Sequence, residues 1–125
     1  MQLRLEEFVL WVRDLDLSVA FYRDRLGLSL AIDREHWKVF DTGAVRLCLR
    51  PRSEPYAEGI ERAGRVEGHP GSEVVFRTTE LDDLMHVLAG QGVSIELPPT
   101  EMPYGRIASL RDPDGYSVTL FEAPN

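Results

Sequence analysis

The stretch Leu110–Glu122, LRDPDGYSVTLFE, joins a tight turn to an alternating strand, and its reading decides the fold. Asp112, Pro113, Asp114 and Gly115 carry the chemistry of a turn: Pro presets one dihedral, Asp bonds its own backbone, and Gly tolerates positive φ. Beyond the turn, Tyr116–Phe121 reads as a strand. Its Ser117, Thr119 and Phe121 share one face and Val118 and Leu120 the other, because successive strand side chains point to opposite sides. Arg106–Leu110 before the turn reads as the strand it folds back on. Further toward the N-terminus come the short strand Val93–Leu97 and a helix closed by Gly92. That helix has the apolar stripe Leu81, Leu84, Met85 and Leu88, and Thr79 with Asp82 resembles a capping box at its start. Glu73–Arg77 opens the unit as a strand, so the order is βαβββ.

The first half of the chain reads in the same order with little shared sequence. Leu5–Val12 alternates, with Glu7, Val9 and Trp11 on one side and Phe8, Leu10 and Val12 on the other, which suits a strand covered on both faces. Asp14 or Asp16 caps a helix whose stripe is Leu15, Val19, Tyr22 and Leu26, and Gly27 ends it. Leu28–Ile32, Trp37–Asp41 and Val45–Leu49 follow as strands, the last two joined through Asp41, Thr42 and Gly43. Aligning Leu15 with Leu81 and Gly27 with Gly92 gives a period of about 65 residues, the mark of a duplicated module. The expectation is a single α+β domain of two βαβββ modules, about 1–50 and 72–125. A linker over 51–71, rich in Pro, Gly, Glu and Arg, is expected to cover the site.

Composition narrows the function classes. The chain has 125 residues, enough to bury a core without disulfides, and carries a net charge of −7. An acidic balance argues against nucleic acid, whose phosphates need a basic field. No apolar run approaches the roughly 20 residues of a membrane helix, and the start MQLRLEEF has no secretory pattern, so a cytoplasmic protein without a membrane partner is expected. Cys48 is the sole cysteine, which rules out an internal disulfide and any Cys-x-x-Cys site and reads as a small buried hydrophobe.

Two stretches carry a resemblance. VRDLDLSVAFYRDRLGL at Val12–Leu28 and RDPDGYSVTLFE at Arg111–Glu122 resemble the glyoxalase, bleomycin-resistance and extradiol-dioxygenase superfamily, the vicinal oxygen chelate proteins. The resemblance implies that each module forms a curved mixed sheet with its helix outside, that paired modules enclose a pocket on the concave side, and that the protein is a homodimer. It also gives the strand faces a meaning. Glu7, Val9 and Trp11, then Glu73, Val75 and Arg77, and then Ser117, Thr119 and Phe121 are expected to face the pocket. Arg46 and Cys48 lie on the face opposite Val45, Leu47 and Leu49.

Catalytic members of that superfamily place metal ligands at the positions matching Glu7, Glu73 and Thr119, commonly two His and a Glu, and some add a Glu on the fourth strand. Here no His stands at any of these positions, and the fourth strand offers Arg46 and Cys48. Two carboxylates suit Mg²⁺ with water better than a softer metal. Hence no cofactor is expected, a divalent metal is the alternative with Glu7 and Glu73 as its ligands, and the alternative to metal is that these glutamates pair with Arg46 or Arg77. His36, His69 and His86 match no ligand position, and no Ser or Thr has a His placed to activate it. Trp11, Trp37 and Phe121 can wall a ring system, and Tyr104 with Gly105 resembles the aromatic-Gly pair that helps hold the drug in bleomycin-resistance proteins. The expected function is non-catalytic binding of an aromatic or cationic small molecule, by sequestration as with an antibiotic. The alternatives are a divergent metal-dependent lyase, isomerase or dioxygenase, and a structural dimer without ligand.

Overall fold

A computed structural model describes residues 6–52 and 73–125. The chain divides into two compact units, Met1–Ala63 and Gly64–Asn125. In the first, β1 (Glu7–Val12) leads to α1 (Leu15–Val19), which continues as π-helical turns over Ala20–Arg25, and β2 (Ser29–Arg34), β3 (Trp37–Asp41) and β4 (Arg46–Pro51) follow. In the second, β5 (Glu73–Arg77) leads to α2 (Leu81–Gly90) and then β6 (Ile95–Met102), β7 (Gly105–Arg111) and β8 (Ser117–Glu122). The sheets have equivalent strand orders, β1-β4-β3-β2 and β5-β8-β7-β6. In each, the first strand runs parallel to the last and the remaining pairs are antiparallel. The expected pair of βαβββ modules is the architecture observed.

Each sheet buries one face under its helix. In the first unit the Tyr22 ring lies 6.1 Å from Phe40, and the register that aligns Phe40 with Leu47 and Phe8 places Leu10, Val12 and Leu49 on that same side. In the second, Leu81, Met85 and Leu88 of α2 are buried, as are Val118 and Leu120 of β8 and Ala108 and Leu110 of β7. Burying such a side chain contributes about 1.5–3 kcal/mol, and these clusters supply most of what each unit can gain from its helix. β1 departs from the expectation of two covered faces at its start, where Phe8 is exposed while Leu10, Trp11 and Val12 are buried.

Several elements differ from the sequence reading for identifiable reasons. Asp14 caps α1, accepting the Leu17 N–H at 3.1 Å. The helix then widens: the Leu26 N–H reaches the Phe21 carbonyl five residues back at 3.1 Å. That added residue per turn lets Phe21 and Tyr22 both be buried, edge to face at 5.1 Å, whereas a regular helix predicts only Tyr22. The capping box at Thr79 and Asp82 does not form. Glu80 occupies the cap position without a side-chain cap bond, and Glu122 of β8 accepts the Leu81 N–H at 3.0 Å instead. Asp82 is taken by the Arg106 guanidinium, at 2.8 and 2.9 Å. β6 runs past Leu97 through Pro98 and Pro99 to Met102, with a register shift between Leu97 and Thr100. It is an edge strand, where a missing N–H costs no ladder bond. Pro51, assigned above to the linker, is the buried last residue of β4.

Candidate functional site

The face of each sheet turned away from its helix carries the residues of interest. In the first unit the parallel register aligns Glu7 with Arg46, Val9 with Cys48 and Trp11 with Arg50, so all six share that face. Val39 pairs with Cys48 and is buried there. The Arg50 guanidinium lies 5.5 Å from the Trp11 ring centre. Cys48 is fully buried. Burial pushes its thiol up to about 11, the Glu7 carboxylate adds to the rise, and the Trp37 indole with the Arg50 and Arg46 charges opposes it. A thiol so held is neutral and unreactive near neutral pH, as expected of a structural cysteine. Among the described residues Arg46 pairs with Glu6, at 3.8 Å, and not with Glu7.

In the second unit the register aligns Glu73 with Ser117, Val75 with Thr119 and Arg77 with Phe121, and across β7 it aligns Ser109 with Thr119 and Ile107 with Phe121. Three polar side chains form a chain on this face. The buried Thr119 hydroxyl donates to Glu73 Oε2 at 2.9 Å, and Ser109 Oγ lies 3.1 Å from the same hydroxyl. With the Thr119 proton directed at the carboxylate, Ser109 is the donor to Thr119. Beside this chain stands an aromatic group. Tyr104 and Phe121 lie 6.2 Å apart, and the Arg77 guanidinium sits 5.4 Å from the Phe121 ring centre. Tyr104 and Val75 are exposed, at 57% and 55%.

Gly105 makes the Tyr104–Phe121 approach possible. Its φ is 143°, and a Cβ there would meet the Glu122 carbonyl at 2.6 Å and the Phe121 ring at 2.8 Å. Only glycine lets β7 begin this close to β8. Asp112 fixes the other end of the hairpin. Its buried carboxylate accepts the Asp114 and Tyr116 N–H groups at 2.9 and 2.8 Å, and Arg111 donates to the Gly115 carbonyl at 3.1 Å.

The donor set does not suit a catalytic divalent metal. Among the described residues no three of His, Cys, Asp and Glu come together. At the position where the resemblance puts a carboxylate ligand, Thr119 instead spends its proton on Glu73. Neither glutamate is paired with the arginine suggested for it. His36 and His86 are exposed on the surface, and His69, with the linker proposed as a cover, lies outside the described residues. The guanidinium-over-ring pairs were not read from the sequence, although the opposed strand faces held the signal once the parallel register was known.

A helix-backed mixed sheet, repeated once with the same strand order, defines a duplicated βαβββ protein. The chain belongs to the Glyoxalase/Bleomycin resistance protein/Dioxygenase superfamily, whose family model matches residues 4–120. It is 30% identical to protein YraH of Bacillus subtilis over 96% of this chain and 98% of that one. The fold is shared with TnmS3, an antibiotic binding protein from Streptomyces sp. CB03234, at a TM-score of 0.77 and 23% identity, covering 98% of each chain. It is shared too with a lactoylglutathione lyase from Agrobacterium tumefaciens, at a TM-score of 0.72 and 23% identity, covering 95% of this chain and 92% of that one. No helix among the described residues is long and apolar enough to cross a membrane.

Proposed function

We propose that the protein binds an aromatic small molecule and sequesters it, without a metal and without turnover, as a cytoplasmic homodimer. The observation that carries this reading is the Glu73–Thr119–Ser109 chain: side chains at the ligand positions of the catalytic relatives hydrogen-bond one another, and the adjoining surface is apolar and aromatic. Such a face offers ring contacts and a few directed polar groups, the usual make-up of a small-molecule site. The antibiotic-binding character of TnmS3 supports the same reading by analogy of fold. The proposed site residues are Glu7, Val9, Trp37 and Arg46 in the first unit, with the buried Trp11 and Cys48 supporting that face, and Glu73, Val75, Tyr104, Thr119 and Phe121 in the second.

The test is a titration of planar aromatic compounds, including polycyclic antibiotics, followed by tryptophan emission, since both tryptophans belong to the first unit's proposed site. A stoichiometric complex is expected, with the ligand recovered unchanged and its affinity unaffected by EDTA. Elemental analysis after incubation with Mg²⁺, Mn²⁺, Ni²⁺ or Zn²⁺ is expected to find no stoichiometric metal. Metal retained by the wild type and lost in Glu7→Gln or Glu73→Gln would replace sequestration by a metal-dependent reaction. Silence across the whole panel would leave a structural dimer.

A further inference from the structure

The second unit's sheet has three arginines, and two of them are spent on carboxylates. Arg106 lies against Asp82, Glu101 and Glu122, and Arg111 against Glu96. Arg77 is exposed and, among the described residues, meets only the Phe121 ring. In a chain where 21 acidic residues face 14 Lys and Arg, a sheet-face guanidinium with no carboxylate is worth explaining. A ring contact holds the guanidinium in place but satisfies none of its five N–H donors, so the fork remains free to take a planar anion. Around it lie apolar surfaces: Phe121, the exposed Tyr104 ring 6.2 Å from Phe121, and exposed Val75 on the same face of β5.

The same device occurs in the first unit. Counting along the parallel strand pairs, Glu7, Val9 and Trp11 of β1 match Glu73, Val75 and Arg77 of β5, while Arg50 of β4 matches Phe121 of β8. Each sheet therefore has a guanidinium over a ring at the same rung, four residues beyond a glutamate, with the two members exchanged between strands.

We propose that the Arg77–Phe121 rung, with Tyr104 beside it, recognises the anionic group of a planar aromatic ligand, an aromatic carboxylate or acidic phenol. The inference rests on the sequestration reading and narrows its aromatic ligand to an anionic one, in place of the cationic ligand weighed from the sequence. A cation arriving at Phe121 would meet a positive charge already over the ring. An anion gains a charge-assisted, two-point hydrogen bond while its ring packs on Tyr104 and Val75. The net charge of −7 repels an anion at long range, so the local guanidinium must supply the recognition.

The test uses three isosteres and the intact chain: naphthalene-2-carboxylate, the neutral 2-naphthamide and the cationic 2-(aminomethyl)naphthalene, each titrated by calorimetry. The carboxylate is expected to bind about tenfold or more tighter than the amide, and the amine more weakly than either. In Arg77→Gln the carboxylate is expected to fall to the level of the amide, whereas Arg77→Lys keeps part of the preference. An unchanged thermal midpoint in Arg77→Gln, expected for an exposed side chain, removes misfolding as a cause. Equal binding of carboxylate and amide, or a carboxylate preference that survives Arg77→Gln, overturns the inference and leaves sequestration standing. Failure of all three isosteres overturns it as well, and the broader antibiotic panel then judges sequestration separately.

Discussion

At the scale of single residues, Cys48 shows how a silent group reports on its surroundings. It is fully buried, its thiol is raised to about 11 by burial first and by Glu7 second, and the ordinary value is 9.0. An acid whose folded pKa lies above its unfolded one keeps its proton in the native state after the unfolded chain has lost it. Stability is therefore fully present below about pH 9 and declines as the pH rises toward 11, by on the order of 2 kcal/mol for this group. The expected result is that the unfolding free energy of the wild type, relative to Cys48→Ala, falls by that amount between pH 8 and 11 in urea titrations. A pH-independent difference would show the thiol to be solvated. In Glu7→Gln the thiol is expected to titrate lower than in the wild type, because a negative charge that opposed ionisation is gone. That sign checks by thiolate absorbance whether Glu7 faces Cys48, as the strand alternation requires. Cys48 was legible from the sequence as a buried hydrophobe; its coupling to Glu7 was not, since that depends on which rung of β1 lies beside which rung of β4.

At the scale of elements, local sequence identified the pieces and long-range contacts set their ends. Trp37–Asp41 and Glu73–Arg77 coincide with the strands read from alternation. The start of α2 does not follow from its own residues, because the cap comes from 41 positions away: Glu122 accepts the Leu81 N–H and also meets Arg106 at 3.3 Å. Arg106 in turn holds Asp82, whose carboxyl is kept below its usual range by that hydrogen bond, while Asp82 and the other acids raise the guanidinium. β8 thus supplies Phe121 to one face of its sheet and the cap for α2 to the other. Replacing Glu122 with Ala is expected to cost about 1 kcal/mol, the usual worth of an N-cap, measured as a shift of the urea midpoint at constant slope. Glu122→Gln should recover much of the loss, because its amide oxygen can still accept the N–H. Equal losses in the two variants would locate the effect in the ion pair with Arg106 instead. The π-helical turns of α1 were equally hidden, since Leu15, Val19, Tyr22 and Leu26 satisfy a regular helical period and nothing in that spacing marks the extra residue that buries Phe21.

At the scale of the whole molecule, duplication explains why the fold was legible and the site only in outline. Two helices with matching stops, each followed by three strands, repeat in the same order, a pattern that survives even where the residues differ. A site depends on those differences. The first rungs of the two parallel pairs both keep a glutamate, but the middle rungs have Cys48 in one sheet and Thr119 in the other, and the last rungs hold an arginine and an aromatic in opposite order. If the exchanged rungs are two solutions to one packing requirement, the first sheet should accept the second sheet's arrangement. Trp11→Arg and Arg50→Trp each place like beside like, a pair of guanidiniums or a pair of indoles, and each is expected to destabilise the protein. Combining them restores a guanidinium over a ring, so the double variant should recover about 1 kcal/mol relative to the sum of the singles, read from urea unfolding. Trp11 also accepts the Arg52 Nε–H through its backbone carbonyl at 3.2 Å, a bond that the side-chain exchange leaves in place. Strict additivity would mean that the Arg50 guanidinium contributes nothing to holding Trp11 and that the matching rung in the second sheet, with its exposed Arg77, has been kept for a different purpose.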